Sequence, residues 1–240
     1  MEPFPAIAVH DLVQRVGASD VLRIPRLVVN SGEIVCIRGR NGSGKTALLR
    51  LLMGLSRRSC HSGEVLVLGQ DIRHIGVSAL ARLRADAIGF VLQHFPLVPY
   101  LSAIDNIVLP CDFSARRTSG AQKRSETVAN DAFRLIRKLS LQDPSRLAKK
   151  AGQYSAGQQQ RFAIARALIG KPSLVLADEP ASAMDSHGQE AVYQLLQQEC
   201  RATGATLICT TGDDSGMTGP EGFDRYLDMG DVNQAGELRW

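Results

Sequence analysis

Several features are missing from this sequence of 240 residues, and each absence argues against a class of protein. No apolar run approaches the roughly 20 residues that a helix needs to span a bilayer. The chain begins Met1-Glu2-Pro3-Phe4-Pro5, without a basic region followed by an apolar stretch, so we expect no secretory signal. If the protein works at a membrane, we expect another chain to span it.

Cysteines and aromatic residues are scarce as well. The five cysteines are widely spaced and form no Cys-x-x-Cys pair, which argues against a disulfide framework or a zinc site and suits a reducing cytosol. Aromatic residues make up 5%, so we expect no stacking platform for single-stranded nucleic acid. The net charge of +4 permits weak attraction to an anionic membrane surface or to nucleic acid and requires neither.

The chain is rich in alternating strand and helix patterns. Short apolar runs, with turn residues at Gly17 and at Ser31-Gly32, predict strands at 6–9, 21–29, 34–37, 64–68, 173–177 and 205–210. Helices are predicted at 45–54, 156–169 and 186–201. Strands that alternate with helices indicate a largely parallel sheet covered on both faces.

Residues 93–152 differ in character from the rest of the chain. This stretch contains Pro96, Pro99 and Pro110, a basic run, and a helical pattern from about 125 to 141. Its polar segment from Ser114 to Arg124 is typical of a loop. We therefore predict one domain over residues 1–240, with a mostly helical insertion at 93–152.

A phosphate-binding pattern follows the strand predicted at 34–37. Gly39-Arg40-Asn41-Gly42-Ser43-Gly44-Lys45-Thr46 matches G-x-x-x-x-G-K-[ST], the Walker A pattern, and opens a helix. Its glycines let backbone N–H groups point at phosphates, Lys45 supplies a charge near them, and the Thr46 hydroxyl can coordinate Mg²⁺. The alternative is a chance Gly-rich turn, which the strand–loop–helix context disfavours.

Two acids end the strand predicted at 173–177. Asp178 would lie at the carboxyl edge of the sheet, where open α/β sheets bind ligands, and would hold Mg²⁺ through water. Glu179 would polarise the attacking water, since phosphoryl transfer depends mainly on positioning and electrostatics. A solvated acidic turn at the end of a strand is an equal alternative for this pair by itself.

The segment Tyr154-Ser155-Ala156-Gly157-Gln158 precedes the helix predicted at 156–169. Ser155 and Gln158 form an S-x-x-Q capping box, a structural role in its own right. The same capped N-terminus offers a hydroxyl and free N–H groups to an anion, and Gly157 leaves room for it.

In this order, the segments resemble the nucleotide-binding subunit of ABC transporters along almost the whole chain. Residues 39–46 match Walker A, Gln93 matches the Q-loop, and Tyr154 to Gln158 match the LSGGQ signature. Asp178-Glu179 match Walker B, and Ser182 to Asp185 match the D-loop. The stretches 88–93, 96–99 and 105–110 are similar to a narrower group, the ATPases of lipoprotein-releasing and macrolide-efflux systems.

This resemblance implies a fold and a set of site residues. The fold would be α/β, a P-loop NTPase core of ABC ATPase type with an N-terminal antiparallel β subdomain and an inserted helical subdomain. ATP and Mg²⁺ would be bound, with Thr46, Gln93 and Asp178 on the metal and Glu179 as the catalytic residue. The residues that bind the nucleotide would be Gly39, Arg40, Asn41, Gly42, Ser43, Gly44, Lys45, Thr46, Gln93, Ser155, Gly157, Gln158 and Asp178.

The resemblance also implies partners. Two such subunits, as a homodimer or a heterodimer, would face each other head to tail, each ATP lying between one Walker A loop and the other signature. The 93–152 insertion would bind a separate transmembrane permease, placing the protein on the cytoplasmic face of a membrane. We expect no nucleic-acid partner.

Three positions depart from the family pattern. Gly212, in Thr210-Thr211-Gly212-Asp213, stands where the family has a switch histidine. Val16 falls near the place of the adenine-stacking aromatic, so the base should be held more weakly. In the signature, Ala156 replaces a glycine and Tyr154 a leucine, which we treat as a tolerated variant.

These departures leave two main hypotheses open. The first is a transporter ATPase whose own hydrolysis is slow because of Gly212, and the second is an ATP-gated regulatory or mechanical subunit with little hydrolysis. His187 could reach the site across a dimer interface, although a histidine on a helix surface is the simpler interpretation. A soluble ABC protein acting on ribosomes or DNA is disfavoured by the single cassette and the lack of a strongly basic arm.

Overall fold

The computed structural model describes residues 5–16, 19–93, 97–139, 147–212 and 220–235. The turn predicted at Gly17, the residues His94, Pro96 and Asp213, and the end of the helix predicted to reach 141 lie outside these ranges. Within them, no helix combines the length and apolar character needed to cross a bilayer.

Nine strands form two sheets in the described chain. Antiparallel strands in the order β2-β1-β4-β5 form the first sheet, and parallel strands in the order β6-β7-β8-β3-β9 form the second. The strands are β1 Pro5–Val16, β2 Ser19–Asn30, β3 Ile34–Gly39, β4 Cys60–Val67, β5 Gln70–Asp71, β6 Ile88–Val91, β7 Leu174–Asp178, β8 Thr206–Gly212 and β9 Arg225–Asp228.

Eight α-helices accompany the sheets in the described ranges. They are α1 Lys45–Leu52, α2 Val77–Ala87, α3 Ala103–Asp112, α4 Ala115–Ser125, α5 Val128–Lys138, α6 Ala156–Leu168, α7 Ser186–Thr203 and α8 Met229–Val232. Helices α3, α4 and α5 fall within the predicted 93–152 insertion, so the α/β class with an antiparallel N-terminal sheet and inserted helices is confirmed. The domain boundaries themselves stay a prediction.

The parallel sheet is buried on both faces because its strands alternate between two hydrophobic clusters. On β3, for example, Ile34 and Cys36 face the cluster that contains residues of α3, α5, α6 and α7. Val35 and Ile37 face the other cluster, which contains residues of α1 and of the antiparallel sheet. This period of two residues is what a strand between two apolar layers requires. Because β3, β7 and β8 pair in parallel, their carboxyl ends lie at one edge of the sheet.

The prediction of a loop from Ser114 to Arg124 is wrong, because this segment forms helix α4. The Ser114 hydroxyl caps the helix by accepting the Arg117 N–H at 3.1 Å. The buried Arg117 guanidinium donates to the backbone carbonyls of Ala85, Ile88, Ala167 and Ile169. Burial lowers the pKa of Arg117 to about 10. These long-range contacts favour the helix where local composition indicates a loop.

Candidate active site

Strand register brings the Gly-rich loop and the acids together at one edge of the parallel sheet. Gly39, the last residue of β3, is the register partner of Gly212 at the end of β8. Asp178, the last residue of β7, is the partner of Thr210 on the same strand β8. The edge to which the sequence assigns ligand binding therefore carries residues 39–46, the pair of acids and Gly212 side by side.

The loop at residues 39–46 needs glycine at two crowded positions. A Cβ at Gly39 would lie 2.8 Å from both Met229 Cβ and Ser43 Oγ. Gly44, with a φ of 102°, caps α1 in the left-handed region, and its Cβ would lie 2.9 Å from Leu22 Cδ2. Since no side chain caps α1, the N-terminus of this helix keeps free N–H groups for an anion.

Lys45 turns back over the loop that precedes it. Its side chain is only 5% exposed, and Nζ donates to the Gly39 carbonyl at 2.5 Å and to the Arg40 carbonyl at 3.2 Å. Nζ also lies 3.5 Å from Glu179 Oε1. A cation in this place can bind a phosphate group that the surrounding N–H groups also favour.

Glu179 lies where three sequence-predicted residues meet. Gln93 Nε2 donates to Glu179 Oε2 at 3.3 Å, while Lys45 approaches the other carboxylate oxygen. The backbone of Glu179 has a φ of 45°, an uncommon left-handed conformation for a residue with a side chain. Both carboxylate oxygens of Glu179 are weakly held, and its backbone is strained. Such a carboxylate can exchange partners easily, as a residue that orients a water molecule needs to do.

Asp178 has the burial and the free carboxylate oxygen expected of a magnesium ligand. It is 1% exposed, its Oδ1 accepts a hydrogen bond of 2.8 Å from the Thr210 hydroxyl, and its buried Oδ2 has no hydrogen-bond partner in the described structure. A buried anionic oxygen without a partner is costly unless a ligand binds it. The described ranges hold no cluster of three or more His, Cys, Asp or Glu side chains able to cage a metal. Mg²⁺ that keeps waters and binds phosphate oxygens needs only one or two protein ligands.

The capping box predicted at the start of α6 is confirmed. Gln158 N–H donates to Ser155 Oγ at 3.3 Å, and Ser155 N–H donates to Gln158 Oε1 at 3.2 Å. Ser155 and Ala156 are exposed in the single chain. Tyr154, in place of the family's leucine, packs edge-on against Phe162 with ring centroids 4.8 Å apart, so it anchors the turn in the core.

The end of β8 at Gly212 is open in the described structure. Gly212 is exposed, and a Cβ at this position would meet no atom of the described residues within 4 Å. His187 lies on the first turn of α7 and is exposed in the single chain, as expected of a histidine on a helix surface. The side chain of Val16 lies outside the described part, so its effect on adenine binding stays a prediction.

Two residues that were not predicted from the sequence support the site. Thr210 is the first polar residue after the apolar run Leu207–Cys209 of β8, and that interruption is a usable signal. Asn233 is buried near the end of the chain, and its Nδ2 donates to the Ser43 carbonyl at 2.9 Å and to the Val21 carbonyl at 3.1 Å. Nothing in the local sequence of Asn233 indicates this bond across 190 residues.

Comparisons with known proteins agree with this geometry. Residues 22–182 match the family model described as ABC transporter. The lipoprotein-releasing system ATP-binding protein LolD of Syntrophotalea carbinolica is 38% identical over 212 residues, which cover 88% of this chain and 87% of that protein. The macrolide export ATP-binding/permease protein MacB of a Shewanella species is 37% identical over 88% of this chain and 30% of its own length.

A solved structure is similar along nearly the whole chain. The dimeric structure of MJ0796, described as a bacterial ABC transporter cassette, has a TM-score of 0.79 and 30% identity, covering 98% of this chain and 99% of its own. The predicted resemblance to the lipoprotein-release and macrolide-efflux group is thereby confirmed. The chain belongs to the ABC transporter family and has the fold of its ATP-binding cassettes.

Proposed function

We propose that this chain binds ATP with Mg²⁺ at residues 39–46, Gln93 and Asp178, and drives a membrane permease by dimerising around the nucleotide. The observation that carries the proposal is the convergence of Lys45 and Gln93 on Glu179, at 3.5 and 3.3 Å, beside the partnerless oxygen of Asp178. This arrangement brings together, at one helix N-terminus, a cation, a carboxamide, a base and a free anionic oxygen. These groups are suited to phosphoryl chemistry.

Each residue has a defined task in this proposal. The backbone N–H groups of residues 39–46 and the Lys45 ammonium bind the phosphates, while Thr46, Gln93 and Asp178 hold the metal. Glu179 orients the attacking water and accepts its proton. Bound Mg²⁺ would supply charge neutralisation at the phosphate oxygens.

A second cassette would complete the site. The start of α6 keeps Ser155 exposed, although its capping box and the Gly157 backbone are suited to an anion. An opposing copy would present Ser155, Gly157 and Gln158 to the nucleotide. The similar cassette MJ0796 is dimeric in its solved structure, which supports this arrangement. Homodimers and heterodimers both satisfy it.

A cleft between the helical insertion and the core supports a permease partner. It measures about 350 Å³ and includes Met53 and Phe90 from the core with Pro110 and Phe113 from the insertion. Phe113 is 74% exposed and lines this cleft, so its ring offers apolar surface that a partner could cover. We assign this cleft to a cytoplasmic helix of the permease, consistent with the name of MacB, an ATP-binding/permease protein. The chain would then lie on the cytoplasmic face of a membrane.

We further propose that hydrolysis at this site is slow, because Gly212 offers no side chain to hold the γ-phosphate and the attacking water. Losing a positioned proton-handling group lowers rates by about 10²–10⁴. The same residue favours the second candidate function, an ATP-gated mechanical subunit that closes on ATP with little turnover of its own.

ATP binding is tested with a fluorescent ATP analogue titrated into the purified chain with Mg²⁺. Lys45→Met should weaken binding by about 10–100-fold, because a charge-assisted contact with phosphate is lost. Lys123→Met, the same change at an exposed lysine of α4, should bind like the wild type. Equal affinity of the Lys45→Met variant and the wild type would contradict the proposed site.

The permease surface is tested by co-purification from membranes. Phe113→Asp should reduce the amount of membrane partner retained and leave ATP binding unchanged. Phe133→Asp places the same charge on another exposed aromatic of the insertion, 41% exposed on α5, and serves as the matched control. Full retention of the partner by the Phe113→Asp variant would show that the permease docks elsewhere.

A further inference from the structure

One buried hydroxyl contacts both acids of the candidate active site. Thr210 on β8 is 0% exposed. Its Oγ1 donates to Asp178 Oδ1 at 2.8 Å and accepts the Glu179 N–H at 3.1 Å. A hydroxyl has one donor and two acceptor lone pairs, so both contacts are satisfied together.

The first contact decides which oxygen of Asp178 is free. Because Oδ1 is held by Thr210, the carboxylate is fixed in one rotation, and Oδ2 is left as the buried oxygen without a hydrogen-bond partner in the described ranges. A partner of this kind orients a metal ligand without touching the metal.

The second contact acts on the backbone of Glu179. This residue has a φ of 45°, and such left-handed conformations persist only where neighbouring groups hold them. The bond from Glu179 N–H to Thr210 ties the strained residue to β8, and the Ser182 N–H donates to the Glu179 carbonyl at 3.2 Å from the other side. Loss of the hydroxyl would leave a backbone N–H and a buried carboxylate oxygen without this partner.

We infer that Thr210 is the positioning residue that sets the orientation of Asp178 for Mg²⁺ and the backbone of Glu179 for water, an inference that rests on the proposed binding of ATP with Mg²⁺. Its two bonds join the adjacent strands β7 and β8, and Gly212 lies two residues further along β8. Thr210 thus connects the proposed metal ligand Asp178 and the proposed base Glu179 to the end of β8, where Gly212 lies.

The test compares nucleotide affinity with and without Mg²⁺ in matched variants. Thr210→Val removes the hydroxyl and keeps the branched shape, and Thr210→Ser keeps the hydroxyl and removes the methyl. The control is Thr206→Val, on the same strand, where a buried threonine accepts the Gly32 N–H at 2.9 Å at the opposite end of β8. The readout is the ratio of the dissociation constant of a fluorescent ATP analogue in EDTA to that in Mg²⁺.

The inference predicts that this ratio falls about tenfold in Thr210→Val, because changes in partners of metal ligands typically weaken metal binding 10–100-fold. Thr210→Ser should keep the wild-type ratio even if its melting temperature falls. Thr206→Val should lose thermal stability and keep the ratio. If Thr210→Val does not fold, Thr210→Ala removes the same hydroxyl and is read in the same way.

Two outcomes would overturn the inference. One is a wild-type ratio in a folded Thr210→Val or Thr210→Ala variant, and the other is an equal fall in Thr210→Ser, which would assign the effect to packing. A wild-type chain whose ATP affinity does not respond to Mg²⁺ would instead overturn the proposed function, so the two failures are distinguishable.

Discussion

In the described part of the chain, two places bury acidic side chains, and the contacts of these acids differ. Glu199 on α7 is 1% exposed and has short ion pairs with cations of the helical insertion. Arg124 Nη2 lies 2.6 Å from Oε2, and Arg134 Nη1 and Lys138 Nζ lie 2.9 and 2.6 Å from Oε1. At the sheet edge, Asp178 is 1% exposed and its Oδ2 has no hydrogen-bond partner in the described structure. Beside it, the partly buried Glu179 has Lys45 and Gln93 near its carboxylate, at 3.5 and 3.3 Å.

The contacts of a buried acid indicate whether it serves stability or ligand binding. Cations lie within ion-pair distance of both oxygens of Glu199, with hydrogen bonds to Oε1 and an ion pair without a hydrogen bond at Oε2, so that cluster joins the insertion to the core. At the sheet edge, the contacts of Glu179 are longer and Asp178 keeps one oxygen without a partner, an arrangement that a folded protein tolerates where a ligand will bind. We therefore expect changes at Glu199 to affect stability and changes at the sheet edge to affect nucleotide chemistry.

The largest expected effect lies at the sheet edge. Gly212→His should raise ATP turnover by about 10²–10⁴, or about 3–5 kcal/mol in the barrier, because it returns a proton-handling side chain to an open position. Steady-state phosphate release measures this change. Gly212→Ala, which adds a methyl group without an imidazole, should stay at the wild-type rate.

Adding Glu179→Gln to the Gly212→His variant should remove the gain if the histidine and the glutamate act on the same water. No gain in the Gly212→His variant itself would show that another part of the site limits hydrolysis, in favour of the ATP-gated mechanical subunit.

A smaller effect is expected at the paired cluster. Glu199→Gln should lower the free energy of unfolding by about 2 kcal/mol, because Arg124, Arg134 and Lys138 lose their shared anion. Their partial exposure keeps the loss below that of a wholly buried pair. Urea unfolding at pH 7 measures the loss, and Glu190→Gln, on the exposed face of the same helix, should change it by less than about 0.5 kcal/mol.

Nucleotide binding by the Glu199→Gln variant tests whether the two regions act independently. Glu199→Gln should bind the ATP analogue with wild-type affinity, since cations of the insertion lie within ion-pair distance of both oxygens of this acid. Weakened binding would show that the insertion interface and the sheet edge are coupled.

The smallest effect is a pH dependence of stability. Burial tends to raise the pKa of Glu199, but hydrogen bonds from Arg134 and Lys138 and the charge of Arg124 hold it below its ordinary value of 4.5. An acid with a lowered folded pKa stabilises the fold above its unfolded pKa and loses that contribution as pH falls through the folded value. The difference in unfolding free energy between wild type and Glu199→Gln should thus be constant near neutral pH and shrink below about pH 4.5.

Urea midpoints at pH 7, 5.5 and 4 would follow this difference. A gap that stays constant at acidic pH would show that the contribution of Glu199 comes from packing rather than from its charge.

The core strands and the phosphate loop could be predicted from the sequence because their signals are local. Apolar runs bounded by turn residues place β3, β7 and β8, and the capping box places the start of α6. The helices α2 and α3 were not predicted, although Ser102, which caps α3 and lies three residues before Asp105, is a local start signal. In α4, the sequence is polar and contains Gly120, so local propensity favours a loop.

The reason that Gly120 lies in a helix is visible only in the fold. A Cβ there would lie 2.3 Å from the Gly170 carbonyl, so glycine allows α4 to pack closely on the end of α6. A local sequence pattern cannot contain this contact, because the two glycines are far apart along the chain.

Local sequence patterns are enough to predict the parallel α/β core, the glycines and lysine that curl around phosphates, and the lack of a side chain at Gly212, because each follows from residue chemistry over a few neighbouring positions. Three contacts become visible only in the folded chain: Thr210 contacts both acids, Asn233 supports the phosphate loop, and Glu199 joins the insertion to α7. Those contacts join residues from 31 to 190 positions apart, and the folded chain alone brings them within hydrogen-bond distance.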